Sequence, residues 1–473
     1  MQTSNSTSTK AIVIGAGIGG LATAIRLALK GYEVHVFEKN SYAGGKLRHF
    51  TLGEYQFDAG PSLFTQPNNI VELFELAGEP IDNYFSYQSL PVACHYFYPD
   101  GTALKAYTNT IGFAEEVANN LGENPQQITN YLTKSAALYD NLGTLFLKNS
   151  LHKPRTFLRK QIFKAIGYSK PSLLLKSLNK YNQQYFKNPK TIQLFNRYAT
   201  YNGSNPYKAP GMLSVIPHLE HNEGTFYPKG GMVSIVKALH QLAEKKGVQF
   251  HFGQAVECII HHQEKVKGVV VGGKNMYASL VVSNMDVYFT YKHLLNNEQK
   301  AQKLLKQERS SSALIFYWGI KKSFPQLGLH NIFFSGNYQQ EFDCLFKLKT
   351  LHPDPTVYIN ITSKCEPGIQ APDGCENWFV MINAPANYGQ NWPQFIEYAR
   401  KAIITKLRKE LSVNIEELIE VEEVASPLTI ESETASYMGS LYGTSSNSPI
   451  AAFLRHANFT NAIKGLYFVG GSV

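Results

Sequence analysis

A strand–glycine turn–helix–strand unit over residues 11–38, β-rich runs between 290 and 420, and a basic, acid-free stretch after Asp140 predict an α/β protein. The expected architecture is a discontinuous Rossmann domain, a mixed-sheet domain and a helical lobe that carries the basic stretch. At 473 residues the chain exceeds the usual single domain, and a hydrophobic content of 44% is ample for several cores. Five cysteines, odd in number and without a CxxC pair, argue against a disulfide framework or a structural zinc site and fit a reducing cytosol.

The first nine residues are polar and are expected to fray. "AIVIG" then reads as a buried strand, and Gly15, Gly17 and Gly20 form G-x-G-x-x-G. Ala24, Leu27 and Gly31 take helix-packing and helix-ending positions before a second strand, "VHVFE". The glycines permit a tight turn and close backbone approach to a pyrophosphate at the helix N-terminus. Glu38, eighteen residues after Gly20, stands where a carboxylate accepts ribose hydroxyls. The lysine-led apolar run has the look of a secretory signal. Its glycine spacing, Arg26 and the strand that follows tell against that reading. No run of 18 uninterrupted apolar residues occurs, so no membrane-spanning helix is expected.

Six residues past Glu38 comes "GGKLRHF", then "YQFDAGPS". This is similar to the extended pattern of flavoproteins related to amine oxidases and carotenoid desaturases. There a Gly-Gly-Arg follows the ribose acid and an Asp-x-Gly follows later. Gly44, Gly45, Asp58 and Gly60 match, with Pro61 beside the last. Lys46 replaces the arginine, keeping the charge but losing the planar fork. NAD-type folds have no need of the second glycine pair, so FAD is the expected cofactor. Residues 229–259 predict an amphipathic helix with Val233, Val236, Leu239 and Leu242, ending at Gly247, then strands. In the same superfamily a valine placed like Val256 contacts the cofactor through its backbone. "SLVVSNMD" (279–286) is a further strand running into a polar turn, and "ALIFYWGI" and "NWFVMINAP" are strands of the mixed sheet, with a helix near 393–410. The expected division is 10–65, 224–290 and 424–473 for the cofactor domain, 66–108 and 291–423 for the substrate domain, and 109–223 for the basic lobe.

The net charge of +9 is concentrated. Between Asp140 and Glu220 lie 79 residues without an acid, holding 13 of the 45 basic residues, among them Arg155, Arg159, Lys160, Lys164 and Arg197. The rest of the chain is net −4. Short helices broken by Pro154, Gly167 and Pro171, with apolar groups between the cations, fit an anionic membrane surface better than a solvated face. Nucleic acid is not expected, because no recognition motif accompanies the charge. Residues 195–231 are dense in tyrosines and prolines and suit a substrate-cavity wall. His218, Glu220, His221 and Glu223 lack ligand spacing, so no metal is expected.

Together, "GAGIGGLATAIRLALKGYEVHVFEK", "GGKLRHF", "FDAGPSLFTQP", "RYATYNGSNPY", "YPKGGM", "VVSNMD", "GSLYG" and "GLYFVGGSV" resemble the bacterial carotenoid (phytoene-type) desaturases in order along the chain. The wording around "FNRYATYNGSNPY" and "IPHLEHNEG" looks like the 1-hydroxycarotenoid 3,4-desaturase branch. The resemblance implies an amine-oxidase-like fold, FAD, an apolar carotenoid substrate and a peripheral habit on the cytoplasmic face of the membrane. It also implies hydride transfer to flavin, with oxygen or a quinone reoxidising it. No residue stands out as a general base; His218, Glu220 and Tyr227 are candidates because they border the presumed flavin face. Alternatives are a phytoene desaturase or carotenoid isomerase of the same family, a flavin amine oxidase, or a non-catalytic lipid carrier like the Rab GDP-dissociation inhibitors.

The last strand, "LYFV", runs into Gly470 and Gly471, which are expected at the FAD pyrophosphate or flavin. Similar desaturases continue into a His-Pro-Gly-rich turn and a closing helix. The expectation is therefore a C-terminally shortened chain with weakened FAD binding.

Overall fold

The computed structural model describes residues 9–143, 149–150, 152–153, 156, 171–448 and 455–473. Strand β1 (Lys10–Ile14) enters the glycine turn, helix α1 (Ile18–Ala28) follows, and strand β2 (Glu33–Glu38) returns beside β1. They belong to a five-stranded parallel sheet in the order Leu466–Phe468, Leu280–Ser283, β1, β2, Gln249–Phe252. Parallel strands need both faces covered, so these strands read as continuous apolar runs rather than alternating ones. One face, with Ala11, Val13 and Val36, packs on Leu21 and Ile25 of α1 and on Val236 and Leu239 of helix Val233–Lys245. The other, with Ile12, Ile14, Phe37 and Phe468, packs on Val269 and Tyr291.

Seven strands form the second sheet: Ile419–Ala425, Ser312–Ile320, Glu376–Ala384, Val357–Ile361, His330–Phe333, Val92–Phe97 and Ala103–Tyr107. All neighbours are antiparallel except His330–Phe333 with Val92–Phe97. Strict alternation sends Phe316, Trp318 and Trp378 to one face, against Ile403 and Leu407 of helix Trp392–Leu411. Ala313, Ile315, Tyr317 and Phe379 point the other way, towards Tyr55 and Phe57. Helix Asn68–Ala77, within the segment assigned from sequence to the substrate domain, buries Leu73 and Phe74 in the core of the parallel sheet.

Helices Thr110–Leu121, Pro125–Leu138 and Pro189–Asn196 build a third core around Phe113, Tyr131 and Phe195. Helix Pro171–Leu175 begins at the expected breaker. Pro154, Gly167, and the cations Lys148, Arg155, Arg159, Lys160, Lys164 and Lys170 lie outside the described residues. Among the described residues, no helix is long and apolar enough to cross a membrane.

The two sheets meet at a buried ion pair. Asp286, just past strand Leu280–Ser283, accepts from Arg309 Nη2 at 2.8 Å, and Arg309 also reaches the Ser440 hydroxyl and the Tyr437 carbonyl. Both side chains are nearly inaccessible. Removing one partner strands the other charge, so Arg309→Leu is expected to destabilise the fold by about 3–5 kcal/mol in chemical denaturation. A loss below ~1 kcal/mol, the scale of an exposed pair, would show that the contact is not the joint between the sheets.

Candidate functional site

The glycine turn is organised by Asn284. Gly17 is the N-cap of α1 and offers no side-chain acceptor, so the first-turn N–H groups are left for a ligand. The Asn284 amide fills the space where side chains would stand: a Cβ on Gly17 would lie 2.7 Å from it, and one on Gly470 2.9 Å. In its hydrogen-bonded orientation Asn284 accepts from the Gly17 N–H and donates to the Val469 carbonyl, both at 3.2 Å. At Gly20 a Cβ would come within 2.1 Å of the Gly15 carbonyl oxygen. The backbone clash at Gly20 and the φ of 114° at Gly470 require glycine, while a side chain at Gly17 would have to push the Asn284 amide aside.

Glu38 sits at the carboxyl end of β2, buried, and accepts from the Ala16 N–H at 2.8 Å and the Asn40 N–H at 2.9 Å. Each oxygen retains a lone pair for a ribose hydroxyl. Val256 opens the strand Val256–His262, two residues after Gln254, whose N–H donates to the Glu38 carbonyl. Gly44 docks on the turn through its N–H to the Ala16 carbonyl at 2.9 Å, and Gly45, at φ 61°, lies so close that a Cβ on it would stand 3.2 Å from the Gly17 Cα. Lys46 donates to the Leu441 carbonyl at 2.7 Å. Burial pushes its amine down to about 8, opposed by the Asp286 carboxylate and reinforced by Arg309. The hairpin Arg48–Leu52/Tyr55–Ala59 brings Gly60 back onto the Lys46 backbone, with Pro61 next to it. Gly470 closes on Asn284, and Gly471 lies beside Leu441. Asp58 accepts from the Met232 and Val233 N–H groups and so caps helix Val233–Lys245, which has no cap of its own.

A cavity of about 380 Å³ opens from this cradle. Lys46, Gly60, Pro61 and Ser62 line it, with Ala313, Ile315, Ile332, Phe379 and Met381 from the seven-stranded sheet. Arg197, Tyr201, Glu220, His330 and Tyr358 interrupt the apolar wall. Arg197 was counted from sequence with the basic stretch. It is instead buried, bonded to both Glu220 oxygens at 2.9 and 2.7 Å and to the Tyr96 hydroxyl at 2.5 Å. Its guanidinium also lies over the rings of Tyr96, Tyr198 and Tyr201. Burial pushes the Glu220 carboxyl up, but Arg197, His221 and Tyr198 together hold it below the usual carboxylate range.

Of the three residues considered for proton transfer, the structure brings only Glu220 to the cavity, and Arg197 and Tyr198 occupy both its oxygens. His218 contacts Tyr139 and Asn222, and Tyr227 donates to Glu366 in a cluster with Leu90 and Leu329; neither lines the cavity. Among the described residues no group of three or more His, Cys, Asp or Glu could hold a metal ion. Asn284 and Arg197 stand inside quoted motifs, VVSNMD and RYATYNGSNPY, but their roles were not read from sequence, and His330 and Tyr358 were missed because no local pattern marks them.

The residues fit a dinucleotide cofactor. An uncapped helix N-terminus faces a turn with no room for side chains, an acid stands at the ribose position, and a half-buried lysine has a carbonyl as its hydrogen-bond partner. Gly17→Ala drives a methyl group into Asn284, and the purified variant is expected to retain its fold by circular dichroism while losing most bound flavin absorbance. Unchanged occupancy would contradict the cradle.

The family model for flavin-containing amine oxidoreductases matches residues 18–341. A 1-hydroxycarotenoid 3,4-desaturase from Flavobacterium sp. (strain P99-3) is 52% identical over 464 residues, covering 98% of this chain and 94% of that protein. A 4,4'-diaponeurosporene oxygenase from Staphylococcus aureus (strain USA300) is 32% identical over 477 residues, covering 98% and 93%. In fold, an oxidoreductase from Methanosarcina mazei superposes with a TM-score of 0.64 at 16% identity, covering 98% of this chain and 95% of that one. The chain is therefore a flavin-dependent oxidoreductase that belongs to the flavin-containing amine oxidoreductase family, in its carotenoid-desaturase-like branch.

Proposed function

We propose that the protein is an FAD-dependent carotenoid desaturase that removes two hydrogens from the C3–C4 pair of an acyclic, 1-hydroxylated carotenoid. The observation that carries this reading is the apolar cavity that begins at Lys46, Gly60 and Pro61, the residues that would hold the cofactor's reacting end. FAD, when bound, would supply the two-electron acceptor: one hydrogen would leave as a hydride to the flavin and the other as a proton released to solvent, with oxygen or a quinone taking the electrons onward. The protein's own part is positioning. Ala313, Ile315, Ile332, Phe379 and Met381 exclude water and align a flat hydrocarbon along the sheet. Glu220 is not free to take a proton from the substrate, because it serves as the counter-ion of Arg197.

Such a substrate dissolves in membranes, so the protein would work on the cytoplasmic face of an anionic bilayer. Leu175, 79% exposed and followed by the exposed Lys176, carries the alternation of apolar and cationic groups into the described residues. Each engaged cation contributes about 1 kcal/mol near such a surface.

Expression in cells that make defined carotenoids tests the chemistry. A 1-hydroxylated acyclic carotenoid is expected to gain one double bond, seen as a shift of absorption to longer wavelength. Stepwise conversion of phytoene instead would assign the general desaturase activity, and conversion of neither would overturn the substrate class. Co-sedimentation with vesicles containing phosphatidylserine tests the surface. Replacing Arg155, Arg159, Lys160 and Lys164 by glutamate is expected to release the protein, and unchanged binding would refute the assignment.

A further inference from the structure

A second cavity, of about 280 Å³, lies on the face of the parallel sheet opposite α1 and shares no lining residue with the apolar one. Its accessible lining is mostly polar, with His152, Lys300, His456, Thr460 and Asn461 set around Tyr291. Tyr291 is buried and forms the floor, while the other five are half-buried or exposed.

The charges at this cavity have one sign. Lys300 Nζ sits 4.5 Å from the centroid of the Tyr291 ring, a cation–π contact that fixes the ammonium over the floor. Lys153, next to His152, lies over the Phe459 ring at 5.4 Å. None of the lysine ion pairs among the described residues involves Lys153 or Lys300, and the rest of the chain contains no Asp or Glu. Burial pushes the His456 imidazole down; the Ala457 carbonyl opposes this, and Lys300 and His152 push it further down. Both charged groups that act on His456 are therefore cations.

Hydrogen-bond donors remain free where these cations meet. Thr460 Oγ1 accepts from the Ala462 N–H at 3.2 Å and from Lys300 Nζ at 3.4 Å, which leaves the threonine's own proton to donate. The Lys300 ammonium keeps two further N–H groups. His152 Nε2 lies 2.8 Å from the Arg455 carbonyl and so carries a proton, leaving Nδ1 as the open ring nitrogen. His456 is already satisfied: Nδ1 donates to the Ala457 carbonyl at 2.7 Å, and Nε2 accepts from the Tyr291 hydroxyl at 3.2 Å. An ammonium and a hydroxyl 3.4 Å apart are within reach of one tetrahedral oxyanion, whose charge the surrounding cations lack.

We infer that this cavity binds one phosphate group, held by Lys300 and Thr460 with His152 in support. Two sources carry that chemistry. One is the phosphodiester of a phospholipid headgroup, since His152 and Lys153 belong to the basic stretch proposed to lie on the membrane; the other is free inorganic phosphate.

Calorimetric titration of the flavin-loaded full chain, at fixed ionic strength in chloride, tests the site. Inorganic phosphate is the probe in one arm, and dihexanoyl phosphatidylglycerol below its micelle concentration is the probe in the other. Lys300→Gln and Thr460→Val are each expected to weaken binding about tenfold, the scale of one charge-assisted hydrogen bond, while Lys300→Arg retains it. Binding of phosphate alone with that dependence would identify a free-anion site; tighter binding of the lipid would identify a headgroup site. Neither residue lines the apolar cavity, so bound flavin absorbance is expected to be unchanged and reports folding; Thr460→Val carries the test if Lys300→Gln fails to fold. No binding in either arm, or the native Kd in both weakening variants, would overturn the site.

Discussion

The cofactor face of this protein depends on one crowded contact, the Asn284 side-chain amide packed among glycines. Three segments remote in sequence converge on it: the turn after β1, the end of strand Leu280–Ser283, and the end of strand Leu466–Phe468. A Cβ on Gly17, Gly19 or Gly470 would stand within 3.0 Å of that amide. The amide bonds the turn on one side and the last strand on the other, so the absence of side chains at these glycines is a packing requirement as much as a conformational one. Gly44 and Gly45 then dock backbone to backbone on the same turn and place Lys46.

From that contact outward, the site is a sequence of buried charges with different degrees of compensation. Arg309 and Asp286 satisfy each other where the sheets meet, and Arg197 and Glu220 do so in the cavity wall. Lys46 has a carbonyl for its hydrogen-bond partner, with Asp286 acting on it electrostatically. Of these pairs Arg197–Glu220 lines the cavity, facing the apolar strip from the seven-stranded sheet.

Much of this was legible in the sequence, for physical reasons. The apolar runs of β1 and β2, the glycine spacing between them and Glu38 at the end of β2 are local patterns, and each lies where local periodicity places it. The final strand was legible too, since "LYFV" before two glycines repeats the logic of the first. What escaped depends on partners far away in the chain. Arg197 looked like one more cation of an acid-free stretch because Glu220, its counter-ion, stands just past the end of that stretch and reaches it only in the fold. Asn284 reads as a turn residue until the glycines are seen around it. Asp58 belongs to a recognisable motif, but its job of capping helix Val233–Lys245 needs a contact across 174 residues.

The claim that joins these parts is that the glycine cradle and the cavity form one reaction site. Anaerobic mixing of the flavin-loaded protein with a 1-hydroxylated acyclic polyene tests it directly, with the flavin and polyene spectra followed together. The flavin absorbance is predicted to bleach in step with the polyene's shift to longer wavelength, one molecule of each. A flavin that stays oxidised, or bleaches while the polyene spectrum is unchanged, would contradict the account.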